Sequence, residues 1–184
     1  VEADVEMFIP SPHGMDLTPV FTPYVMASGD FSVGITDNLS WNILSLKSRA
    51  MPEGEIKILD ARNRADVAIA VGLQDRYEVA ISFPFILRNS GYSNHLVDLD
   101  MEAFGLGDIL LSGKAFLFNQ CELPVDVGAS ATLAIPSGKP KALFGSPAGR
   151  IHLRMAAARL FSTRELAPIY SFLATGNMGM LFRA

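Results

Sequence analysis

The stretch LPVDVGASATLAI, Leu123 to Ile135, decides the fold. Leu123, Val125, Val127, Ala129, Ala131, Leu133 and Ile135 take every second position, with Asp126, Gly128, Ser130 and Thr132 between them. Successive side chains of a strand point to opposite faces, whereas a helix repeats every ~3.6 residues, so the alternation specifies a strand with one apolar and one polar face. Pro136-Ser137-Gly138 ends it with turn-forming residues.

The same period governs the sequence on either side. Phe31, Val33, Ile35, Leu39, Trp41 and Ile43 alternate with Ser32, Gly34, Thr36, Asn38, Ser40 and Asn42. Val67, Ile69, Val71 and Leu73 form a second series and Tyr77, Val79, Ile81 and Phe83 a third, with Gln74-Asp75-Arg76 as the tight turn of a hairpin. Asp108 to Phe118, Arg150 to Phe161 and Ile169 to Arg183 add further strands, about seven long ones in all. The local competitor is a helix over Met155 to Leu160, because alanine favours helical backbone.

With 184 residues, 49% hydrophobic and 18% charged, the chain has ample material for burying apolar surface. Its 15 Lys and Arg against 19 Asp and Glu lack the cation surplus that nucleic-acid binding requires. Cys121, the single cysteine, makes no internal disulfide, and three separated histidines make no zinc spacing, so no metal or cofactor is expected. No run approaches the roughly 18 to 20 apolar residues of a membrane helix. No Gly-x-Ser-x-Gly elbow or phosphate-cradling glycine loop occurs, and the expectation is a protein without catalytic residues.

Two architectures fit the alternation: a soluble sandwich or lipocalin-like barrel with its apolar face inward, and an antiparallel up-and-down transmembrane β-barrel with its apolar face outward. The polar positions favour the second, since Ser, Thr, Asn, Gly and Ala dominate them where a water-exposed sheet would carry more charge. Strand and loop lengths agree. The runs exceed the usual soluble strand, and long connections alternate with short ones, as at the two rims of an outer-membrane barrel. Val67, Ile69, Val71, Val79, Ile81, Val125, Val127 and Leu133 are then lipid-facing candidates, and Glu78, Lys114, Asp126, His152 and Arg154 lumen-facing candidates.

Several segments carry a family resemblance: Ser32-Val33-Gly34, the hairpin from Ala70 through Gly72-Leu73-Gln74-Asp75-Arg76-Tyr77-Glu78 to Pro84, Ser90-Gly91, Gly105-Leu106-Gly107-Asp108, and Leu133-Ala134-Ile135-Pro136-Ser137-Gly138. In this order the chain from Phe31 to Arg183 resembles the amino-terminal β-barrel of an outer-membrane protein A-like family, related to barrels for uptake of hydrophobic compounds. The resemblance implies residence in the bacterial outer membrane, contact with its lipid and lipopolysaccharide, and peptidoglycan binding through a separate domain. Residues 1–30 are expected to be a Pro-rich periplasmic lead-in and residues 31–184 a partial barrel, completed by further chain or other envelope proteins. The expected role is an envelope anchor or structural subunit. The alternatives are a porin-like diffusion channel for small hydrophobic solutes and a soluble lipocalin-like binder.

Asp37 interrupts the first apolar series, so Thr36 to Leu39 is either a turn or part of one long strand. The single strand is preferred, because it keeps the amino terminus periplasmic. A turn centred near Gln120 would set Lys114 opposite Asp126 as a lumenal ion pair, with Glu78, His152 and Arg154 extending a charge ladder. Asp98, Asp100, Glu102 and Asp108 are expected in an acidic, solvated outer loop.

Overall fold

A computed structural model describes residues 11–16, 20–47, 55–90, 104–162 and 171–183. Apart from one 3-10 turn at Pro140–Ala142, the regular structure among them is antiparallel sheet. The strands are β1 (Phe31–Lys47), β2 (Glu55–Leu73), β3 (Tyr77–Ser90), the two-residue β4 (Gly105–Leu106), β5 (Ile109–Phe118), β6 (Asp126–Ile135), β7 (Arg150–Ser162) and β8 (Ser171–Arg183). Each long strand pairs with the next in the order β1-β2-β3-β5-β6-β7-β8, and β4 pairs with β3. The sheet curls as an open half-barrel, with β1 and β8 as its edges.

Sequence alternation located the strands and misjudged two of their starts. β1 runs unbroken through Asp37, which lies opposite Ala65, and the Ala156-Ala157-Ala158 segment is strand. β2 begins at Glu55, well before Val67, because Ala61, Asn63 and Ala65 replace large apolar groups on one face and Arg62, Arg64 and Asp66 occupy the other. β6 begins at Asp126, three residues after Leu123. Pro124 has no N–H to give a ladder, and Asn119 Oδ1 accepts the N–H groups of Cys121 and Glu122 at 2.9 and 3.1 Å, which widens the turn. Val125 therefore lies in that turn. Lys114 faces Ser130 in consequence, not Asp126. The acidic positions Asp98, Asp100 and Glu102 fall outside the described residues, and Asp108 is buried, 1% exposed, contrary to its expected place in a solvated loop.

The two faces of the sheet have opposite fates. The apolar face is bare: Val33, Ile35, Trp41, Met178 and Met180 are 62–76% exposed. The polar face is covered by residues 11–16 and 20–30, here called the strap, and by the connection between β6 and β7. Met26 of the strap packs on Ala70 and Ala80, and Phe144 of the connection packs on Ile86. The lead-in is thus seated against the sheet over its described length. Glycines permit this approach. A Cβ on Gly72 would meet the Ala27 carbonyl oxygen, and one on Gly128 would lie 2.7 Å from Pro23 Cα. Gly72→Val is expected to lift the strap and cost about 1–3 kcal/mol, the usual penalty for overfilling a packed site, measurable by denaturant unfolding.

Candidate functional site

The strap seat is assembled from two cross-strand rows of the covered face. Strand register puts Gly72, Glu78, Lys114, Ser130, Arg154 and Gly179 in one row, and Ala70, Ala80, Ser112, Thr132, His152 and Leu181 in the next. Four of the lumen-facing candidates therefore come together. Asp126 lies farther along β6, opposite Ala158.

The strap completes the charge balance of the first row. That row holds Lys114 and Arg154 against Glu78 alone, and Asp16 supplies a second carboxylate, with Lys114 Nζ 2.6 Å from Asp16 Oδ1 and both side chains fully buried. Thr22 donates its N–H and hydroxyl to the same oxygen, at 2.9 and 3.1 Å, and Ser11 Oγ donates to Asp16 Oδ2. Phe21 lies against Lys114 with its ring centroid 4.8 Å from Nζ, a cation–π contact. Glu78 is the converse hub on the sheet side. Its Oε1 accepts from Gly14 N at 2.9 Å and lies 3.1 Å from His13 Nδ1, and its Oε2 accepts from Met26 N at 3.1 Å. One carboxylate thereby grips both limbs of the strap.

His13 extends the network, with Nε2 2.8 Å from Ser112 Oγ, which is itself 2.8 Å from Thr132 Oγ1. Ser112, His13 and Glu78 have the connectivity of a serine–histidine–carboxylate triad. Access is what a nucleophile requires, and Ser112 is 1% exposed beneath the residue that would serve as its base. Moving the strap to admit a substrate would carry His13 away. The three residues tie the strap to the sheet.

At the hairpin end the strap is held by Tyr24, whose hydroxyl donates to Asp126 Oδ2 at 2.9 Å and whose ring stacks on Phe116. Burial, reinforced by the Asp126 carboxylate, pushes the Tyr24 pKa up to about 12. The neutral phenol is the seated form, so its contribution is complete below about pH 10 and is lost as pH rises through about 12. Gln120 donates its backbone N–H to the other Asp126 oxygen at 2.8 Å and its side-chain amide to Oδ2 at 3.1 Å, so Asp126 joins a strap tyrosine to the turn.

A second polar cluster fixes the opposite end. Asp108 accepts from Arg150 Nη2 at 2.9 Å, Ser146 N at 2.8 Å and Gly138 N at 3.2 Å. Ser137 Oγ donates to Gly107 O, and Phe144 fills the space a Cβ on Gly105 would take. The Gly105–Asp108 and Pro136–Gly138 segments are therefore two halves of one contact.

On the bare face, Val67, Ile69, Val71, Val79, Ile81, Val127 and Leu133 all lie at least partly exposed. A hollow of about 940 Å³ opens there, lined by Gly113, Ala115, Ala129 and Ala131 between Tyr77 and Val79 on one side and Leu153 and Met155 on the other. Sequence reading missed His13, Asp16, Tyr24 and Arg150; the available signal was the unbalanced charge of the polar face, two cations against one carboxylate in the Glu78 row. Among the described residues no cluster of three or more His, Cys, Asp or Glu could hold a metal ion. No family model, curated protein or solved structure matches the chain.

Proposed function

We propose that this chain is a wall segment of a bacterial outer-membrane β-barrel, serving as an envelope anchor or structural subunit without chemistry of its own. The observation that carries the reading is the inverted sheet, polar where buried and apolar where bare. Its apolar face is ordered in rows, among them Phe31-Val71-Val79-Gly113-Ala131-Leu153-Met180 and Val33-Ile69-Ile81-Leu111-Leu133-Ile151-Phe182. Such rows recur every two residues, roughly 7 Å along a strand, so a handful of them spans the apolar band of about 25 Å that outer-membrane barrels present to lipid. The strap favours an anchor over a diffusion channel for hydrophobic solutes, because it fills the face a solute would cross. The resemblance to outer-membrane protein A-like barrels belongs with this reading, as do lipid and lipopolysaccharide contacts and peptidoglycan binding through a separate domain. The edges of β1 and β8 call for further strands or chains, since unpaired backbone groups in hydrocarbon cost several kcal/mol each.

A soluble lipocalin-like binder is the second reading, favoured by the 940 Å³ hollow on the apolar face. Nitroxide labels at Val67, Ala68, Ile69 and Ala70 in a Cys121→Ser background separate the two. On the membrane reading Val67 and Ile69 are accessible to oxygen in lipid bilayers and closed to a water-soluble nickel reagent, while Ala68 and Ala70 are closed to oxygen. Free access of nickel to Val67 and Ile69, or access of neither reagent, would exclude a lipid-facing wall.

A further inference from the structure

We propose that Asp37 is the docking point on the free edge of β1 for an arginine, carried by the strand that continues the sheet on that side. The proposal rests on reading the apolar face as lipid-facing, and it names what the neighbouring strand must bring. Phe31 and Trp41, 75% and 66% exposed, stand ten residues apart on that face of β1. A tilted strand takes about 9–11 residues to cross the hydrocarbon layer, with aromatic side chains at both rims. Asp37 is exposed on the same face, six residues after Phe31 and four before Trp41, and so lies inside the layer. A carboxylate facing lipid there is costly and calls for a cation. Among the described residues its side chain has no ion pair or hydrogen bond.

The apolar rows break beside it. Ala65 lies opposite Asp37, and in the next row Asn63 lies opposite Leu39, with its Oδ1 buried and without a hydrogen-bond partner. Arg88, opposite Asn63 on β3, is two strands from β1 and makes no ion pair with Asp37. The corner therefore offers two acceptors and, at Ala61 and Ala65, little bulk. A guanidinium suits it better than an ammonium, because a rigid fork of five donors can meet the carboxylate and the amide oxygen together. A second copy of the chain does not supply that arginine. Six antiparallel pairings separate β1 from β8, so both edges run in the same direction, and copies inserted the same way up would bring β8 to β1 as a parallel pair. The apolar face of β8 carries Ala174, Gly176, Met178, Met180 and Phe182, without a cation. Pairing through β1 would bring another Asp37. The occupant is a different strand, antiparallel to β1 as in bacterial barrels and cationic on its lipid side.

The test reconstitutes the full chain in phosphatidylcholine vesicles, which lack the anionic lipid that attracts basic peptides. The probes are peptides of the β2 sequence Ala61–Leu73, the native antiparallel partner of β1, unsubstituted or with Ala65→Arg or Ala65→Glu, and with a dansyl group at the Ala61 end. Trp41, the single tryptophan, lies opposite Ala61 in that register, so energy transfer from it reports binding and register together. The Ala65→Arg peptide is expected to bind about tenfold or more tightly than the unsubstituted one, to lose that advantage on Asp37→Asn, and to yield it to the Ala65→Glu peptide on Asp37→Arg. Equal affinity of the Ala65→Arg peptide for the parent and for Asp37→Asn, or no transfer with any peptide, would overturn the docking point. The lipid-facing wall is read separately, from oxygen accessibility at Val67 and Ile69, so its failure and that of the docking point are told apart.

Discussion

Asp108→Ala is expected to destabilise the protein by about 3–5 kcal/mol, because it removes the carboxylate from a buried ion pair. Arg150 and Asp108 are 2% and 1% exposed. The same substitution strips the Ser146 and Gly138 amides of their acceptor. A natural domain has only about 5–15 kcal/mol in total, so the denaturation midpoint should fall steeply. Asp108→Asn should fall between the two, since an amide oxygen still accepts one of the amides and the charge opposite Arg150 is gone. Near-native stability of Asp108→Ala would show that water solvates Arg150 at this end of the sheet.

The placement of Asp108 shows where sequence reading stopped. Periodicity located the strands because each reports on itself: a residue's parity states its face without reference to distant chain. Register is different, since it depends on turn chemistry. The Lys114–Asp126 pairing failed because Asn119 and Pro124 widened the turn, and a four-residue offset carried Lys114 to Ser130. The burial of Asp108 depends on Gly138, Ser146 and Arg150, contributed by chain 30 to 42 residues away. Nothing local in Gly105-Leu106-Gly107-Asp108 marks that.

The strap was legible in composition and illegible in position. Pro10, Pro12, Pro19 and Pro23 rule out a central strand, and an extended segment follows from them. That it lies across the polar face follows from the sheet's own deficit. Lys114 and Arg154 share a row with one carboxylate, and burying that row requires a second. Asp16 meets the need. The contact of His13 with Ser112 joins residues 99 apart and has no sequence signature.

Leu153→Arg offers the strongest probe of what covers the bare face. Leu153 is 45% exposed and stands between Ala131 and Met180 in a central apolar row. On a lipid-facing barrel wall an arginine near mid-depth costs about 2–4 kcal/mol, and one near the rim about 0–1 kcal/mol. Ile135, 42% exposed at the end of β6, supplies the rim comparison. The expected result in bilayers is a loss of about 2–4 kcal/mol for Leu153→Arg and at most about 1 kcal/mol for Ile135→Arg. In water, both substitutions at partly exposed sites should stay within about 0.5 kcal/mol of the parent. Equal costs at the two positions would remove the depth dependence that only a bilayer imposes. The apolar rows would then have to be covered by protein, and the hollow floored by Gly113, Ala115, Ala129 and Ala131 would become the place to look for that contact.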